Sequence, residues 1–130
     1  MPGIDECLLE TMRLPGARGA ALVDWTSGLA LGTVGDPPGG DHETAAAETA
    51  ELARLAAEQP AFGPGDDAGP ADPPVEDVIL STRDSYHVLR FVPTSFDSSV
   101  VLYLWLGRSD GNLALARIRL GEMAERLVLA

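Results

Sequence analysis

The sequence predicts an α+β domain: a five-stranded antiparallel sheet with one helix on one face and two helices on the other. Three features carry this expectation. Asp41 to Gln59 is strongly helical in composition and pattern. Arg18–Val34 and Val75–Val92 each hold two short apolar stretches around turn residues, the mark of hairpins. Ser99 to Gly107 is apolar on both faces, as a central strand covered on both sides should be. The order of elements reads α-β-β-α-β-β-β-α, which suits an antiparallel sheet with helices layered on it.

The totals restrict the possible functions. At 130 residues the chain fits one domain, 1–130, and 45% hydrophobic content is enough for a packed core. Its net charge is −11, which opposes binding to nucleic acid or to anionic membrane surfaces and suits a basic protein partner. All nine basic residues are arginine; with the load of Ala, Gly and Pro, that points to a GC-rich genome. A single cysteine, Cys7, excludes an intrachain disulfide and a multi-cysteine metal site. No apolar run reaches membrane-spanning length, and the N-terminus does not read as a secretory signal, so a cytoplasmic location is the default expectation.

Taken in order, Pro2–Leu14 reads as a short helix, with Ile4, Cys7, Leu8 and Thr11 recurring on one face. Cys7 on that face reads as a small buried thiol; a reactive one would need a cationic or metal neighbour. Arg18–Asp24 and Leu29–Val34 are strands around the turn Trp25-Thr26-Ser27-Gly28, where Gly28 can supply a positive φ. Trp25 is either a lid on a core edge or a partner contact. Gly32 and Gly35 leave part of the second strand bare, as happens where another backbone comes close. Gly35–Gly40 is a loop without the Lys-Ser or Lys-Thr of a phosphate-binding loop.

The long helix starts with Asp41 as N-cap and stops before Pro60. Ala45, Ala46, Thr49, Ala50, Leu52, Ala53, Ala56 and Ala57 fill an arc roughly 160° wide, more than one sheet contact needs. Glu43, Glu48, Glu51, Arg54 and Glu58 lie opposite. The plain reading is an alanine-rich surface helix of high propensity. The sharper one is a helix with two neighbours, the chain's own sheet and a second copy. Arg54 is the only basic residue on it and is spaced to pair with Glu51 or Glu58.

Pro60–Pro74 is rich in Pro, Gly and Asp and reads as a flexible loop at 60–74, with Phe62 anchoring its start. Val75–Ser81 and Tyr86–Val92 form the second hairpin around Thr82–Ser85. His87 falls on an exposed or half-exposed face; as a metal ligand it would need partners, and the other histidine, His42, is far away in sequence. The last helix, Leu113–Leu129, follows a turn in which Asp110 or Asn112 can cap it. Leu113, Ala116, Leu120, Met123 and Leu127 form its buried stripe.

Three stretches together resemble the roadblock family, also called the dynein light-chain roadblock or Mgl-type regulators. Gly16–Leu31 is similar to the family's first hairpin, Val75–Pro93 to its second, and Val100–Leu127 to its last strand and helix. The length of the Pro60–Pro74 excursion departs from the family pattern. The resemblance implies a roadblock/profilin-like sandwich that homodimerises, its second helix and second strand pairing across a two-fold axis into one continuous sheet. It also implies, for a bacterial member, a small Ras-like GTPase as partner, whose hydrolysis is modulated by reshaping its own switch residues and not by an inserted arginine.

No nucleophile–base pair, metal cluster, phosphate loop or carboxylate pair emerges from the residues, so neither catalysis nor a cofactor is expected. The expected function is a non-enzymatic regulatory or scaffolding subunit that binds itself and a Ras-like GTPase. The alternative is a structural adaptor whose binding ignores nucleotide. The residues expected at the dimer interface are Leu29, Leu31, Ala46, Ala50, Ala53 and Ala57. Those expected at the partner surface are Glu43, Glu51, Arg54 and Glu58.

Overall fold

The computed structural model describes residues 3–63, 75–93 and 99–127. Helix α1 spans Ile4–Thr11, strand β1 Ala17–Asp24 and strand β2 Leu29–Gly35. Helix α2 spans His42–Glu58, and strands β3, β4 and β5 span Asp77–Ser81, Ser85–Phe91 and Val100–Gly107. Helix α3 closes the chain at Leu113–Arg126. All eight expected elements form, in the expected order.

The sheet order is β2-β1-β5-β4-β3, and every pairing is antiparallel. β5 therefore lies at the centre, as its two apolar faces require. Leu102, Leu104 and Leu106 enter the core beneath α1 and α3, with Leu8, Leu22, Val88 and Leu120. Val101 and Tyr103 enter the core beneath α2, with Val23, Leu89 and Phe91. One helix thus covers one face and two cover the other.

The helix ends are set locally. The Asp41 carboxylate accepts the Thr44 N–H at 3.0 Å, and the Asn112 side-chain oxygen accepts that of Leu115 at 3.0 Å. The Thr44 hydroxyl also donates to Asp41, and with the N–H bond it holds that carboxyl below its ordinary pKa. Of the two caps offered for α3, Asn112 is the one used.

The remaining boundaries differ by a turn or less. α1 ends at Thr11, because residues 12–15 leave it in a tight turn. β3 begins at Asp77 instead of Val75. Residues 64–74 of the expected loop and 128–129 of the expected last helix lie outside the described residues. Phe62 does not anchor the loop: it sits in a 3-10 turn at Pro60–Phe62, and 63% of its surface is exposed.

Three glycines matter for packing. Gly28 closes the first hairpin at φ 81°, a backbone region that side chains with a Cβ resist. Gly32 is bare because α1 occupies the space: a Cβ there would meet Ile4 Cγ2 at 2.8 Å and Leu8 Cδ1 at 2.9 Å. At Gly32, then, a pair of side chains from the chain's own helix comes close, whereas at Gly35 it is the backbone of β1: a Cβ there would meet the Arg18 carbonyl oxygen at 2.6 Å and Gly19 Cα at 2.9 Å.

Candidate interaction site

β2 is an edge strand, hydrogen-bonded only to β1 among the described residues. It is nevertheless apolar. Leu29 is 65% exposed and Leu31 45%, and Ala30 between them is exposed as well. A strand carrying leucines to solvent beside unpaired backbone groups is an unusual surface for a lone chain.

The first half of α2 runs beside this edge. Between them lies a groove of about 630 Å³, walled by Gly28–Thr33 on the strand and by His42, Glu43, Ala46 and Ala47 on the helix. The small side chains of Ala46 and Ala47 keep the helix wall low. Glu43 adds one carboxylate at the helix N-terminus, where the helix dipole favours negative charge.

The expected interface residues separate into two groups. Leu29, Leu31 and Ala46 line this groove together. Ala50 and Ala53 do not reach it. Both are 0% exposed, packed with Ala46 against Val23, Leu89 and Phe91 of the chain's own sheet. Their small size lets α2 lie close to that sheet and leaves no side chain for a second copy. Ala57 is half-buried against the same core. The wide alanine arc is therefore largely covered within one chain.

On the outward face, Glu43, Glu51 and Glu58 are exposed as expected. Arg54 behaves differently. It makes no ion pair with Glu51 or Glu58; its Nη1 donates to the carbonyl oxygen of Trp25 at 2.7 Å. The carbonyl is a fixed acceptor at the hairpin corner, whereas the two glutamates are solvated and gain little from pairing. Trp25 itself is a lid on the core: its ring packs edge-to-face on Phe91 at 6.1 Å between centroids.

Leu55, to which the sequence pattern assigned no role, is 59% exposed. It lies between Glu51 and Glu58 at helical spacings of four and three, and so stands as a single apolar side chain on an acidic face. A helical wheel that included every leucine would have shown it. Among the described residues, no group of three or more His, Cys, Asp or Glu side chains is arranged to hold a metal ion. No helix among them is long and apolar enough to cross a membrane.

A five-stranded antiparallel sheet of order 2-1-5-4-3, with its second helix alone on one face, is the roadblock/LC7 fold. Solved structures with this fold match nearly the whole chain. Myxococcus xanthus MglB aligns over 94% of this chain and 82% of its own, with a TM-score of 0.74 and 17% identity. A Roadblock/LC7 domain from Streptomyces avermitilis aligns over 96% and 94%, with a TM-score of 0.71 and 18% identity. An MglB solved with a tetrameric arrangement aligns over 95% and 83%, with a TM-score of 0.71 and 18% identity. No family model matches the sequence, and no curated protein matches it either. At these identities the likeness is one of fold.

Proposed function

We propose that this chain is a non-enzymatic regulatory or scaffolding subunit of the cytoplasm, which homodimerises through β2 and α2 and binds a small Ras-like GTPase. The observation that carries the reading is the groove beside β2. An edge strand with Leu29 and Leu31 exposed, unpaired backbone on its outer side and a low alanine wall next to it is self-complementary under a two-fold axis. A second β2 laid antiparallel on the first would satisfy both edges and cover both leucine pairs. The likeness to MglB and to roadblock domains supports the same reading at the level of fold.

The GTPase-facing surface is assigned to the outward side of α2, where Glu51 and Glu58 flank the exposed Leu55 and Glu43 adds a third carboxylate near the helix N-terminus. An apolar anchor inside a charged rim is the usual anatomy of a specific protein contact. The acids select a basic partner surface. Arg54 is engaged through Nη1 with the Trp25 carbonyl, which supports an effect on hydrolysis that acts through the GTPase's own residues and not through an inserted Arg54.

Light scattering tests dimerisation. The wild-type chain should have twice the mass of its sequence, and Leu31→Arg should run as a folded monomer. A wild-type monomer at high micromolar concentration would remove this reading. Binding is tested with partner GTPase loaded with GDP or a GTP analogue: retention in one state supports regulation, equal retention in both supports the adaptor, and none in either rejects both.

A further inference from the structure

A second concavity lies on the opposite flank of α2, away from the β2 groove. α2 packs mainly over β2 and β1 and, among the described residues, leaves the far corner of that sheet face uncovered. There the registers set Trp105, His87 and Leu80 directly opposite one another on β5, β4 and β3. Cross-strand neighbours on one face touch, so the three side chains form a continuous row. The row is held in place. His87 stacks on Trp105 and on Tyr103, and its Nδ1 is hydrogen-bonded to the Tyr103 hydroxyl at 2.6 Å. The Arg18 guanidinium lies over the Trp105 ring at 5.5 Å. Leu80, at the end of the row, is 49% exposed.

Between this row and α2 runs a trench of about 290 Å³. Leu89 and Tyr103 contribute to its floor, and Thr49 and Leu52 to its helix wall. Glu48 stands on that wall and makes no ion pair among the described residues.

We propose that this trench docks an extended peptide segment of a protein partner, one that places a large aliphatic or aromatic side chain against Leu80 and His87 and an arginine or lysine beside Glu48. Charge complementarity selects the occupant. The chain carries −11, the trench presents an unpaired carboxylate, and the nearest cation of the row, Arg18, is already engaged by Trp105 and Asp84. The volume is at the small end of the ~300–1,000 Å³ of ligand clefts. That size, open along its length, suits side chains projecting from a passing backbone. The trench and the β2 groove lie on opposite flanks of one helix, so both can be filled at once. This site does not depend on the dimer.

The test is selection of a displayed random heptapeptide library on the full chain, with the Leu80→Ser/Glu48→Arg double variant as counter-selection. Leu80 is half-exposed and Glu48 lies on the helix surface, so the variant should keep the wild-type far-UV spectrum and melting temperature. Enriched peptides should combine a large apolar residue with a cation. A synthesised winner should quench Trp105 saturably in a Trp25→Phe background. Glu48→Gln should weaken it about threefold, as an exposed ion pair would, and Leu80→Ser about tenfold, as loss of one apolar contact would. Enrichment that survives counter-selection, winners without a cation, or no enrichment would each overturn the proposal. So would a Leu80→Ser variant of altered oligomeric state, which would give the trench to a second copy.

Discussion

Arg54 Nη1 donates to the main-chain carbonyl of Trp25 at 2.7 Å, joining the middle of α2 to the corner of the first hairpin. The two residues are 29 positions apart in sequence. A charged donor on a neutral, partly buried acceptor is among the stronger single hydrogen bonds. Arg54→Ala should therefore lower stability by about 1.5–3 kcal/mol in urea unfolding. Any stimulation of a partner's hydrolysis should survive under conditions where the variant is folded. An arginine acting in the partner's active site would give the reverse: unchanged stability and a loss of about 10³-fold or more in stimulation.

Ala50 and Leu31 were expected to act at the same interface, and their substitution should now have separate effects. Ala50 is fully enclosed between α2 and the sheet, so Ala50→Glu buries a carboxylate with no partner. Circular dichroism should show a chain that has lost its cooperative melt. Leu31→Arg puts its charge on an exposed edge and should change mass in solution while leaving the melt cooperative. A folded, monomeric Ala50→Glu protein would contradict this division.

Gly19 and Gly32 offer a second contrast. A Cβ on Gly32 meets only the tips of Ile4 and Leu8, which can shift. A Cβ on Gly19 meets the main-chain carbonyl of Asp36, which cannot shift without moving the end of β2. Gly32→Ala should cost about 1 kcal/mol and Gly19→Ala about 3 kcal/mol or more, within the usual span for overpacking. Chemical denaturation of the two variants measures the order; equal losses would mean that the α1 contact is as rigid as the backbone.

Burial lowers the His87 pKa from its ordinary 6.5, a pull that the nearby Asp84 carboxylate only partly opposes. The folded chain thus binds this proton less readily than the unfolded chain. Stability attributable to His87 is complete above pH 6.5 and falls as pH drops from there through the lower folded value. Burial also raises the Tyr103 hydroxyl, so Tyr103 stays protonated and can donate to the neutral ring across this window. Melting temperature followed from pH 8 to pH 5 should decline less for His87→Gln than for wild type. Parallel curves would show that His87 does not contribute to the decline.

Element order, the Asp41 cap and the division of β5 between two cores were legible because each depends on neighbours in sequence, and the cap of α3 was narrowed to Asp110 or Asn112. Asp41 sits three residues before Thr44, and Asn112 three before Leu115. What lay beyond the sequence was distance. A helical wheel gave the direction of Ala46, Ala50 and Ala53 but not how closely the sheet approaches them, so small residues required by the chain's own packing read as space for a second copy. The Arg54 reading failed for a related reason, since the carbonyl that binds it is remote in sequence and the glutamates are near. Leu29 and Leu31 were named for the interface through the family resemblance; the physical reason for their exposure appears only with the sheet order, which puts β2 at an edge among the described residues. Leu80 was hidden in the same way, because β3 is the other edge.

Those two edges are unequal, and the inequality bears on how an assembly stops growing. β2 has seven residues and β3 five, with Asp77 at the start of β3 in an ion pair to Arg117 of α3 at 2.8 Å. If two copies join β2 to β2, the contact uses the same patch twice and closes; both outer margins of the enlarged sheet are then short β3 strands with a charge fixed at one end. A head-to-tail union of β2 with β3 would instead leave a fresh β2 edge at every step and run on as a fibre. In such a dimer the short, charged margin would act as a chain terminator, and Arg117, which lies far from the proposed interface, would guard against polymerisation.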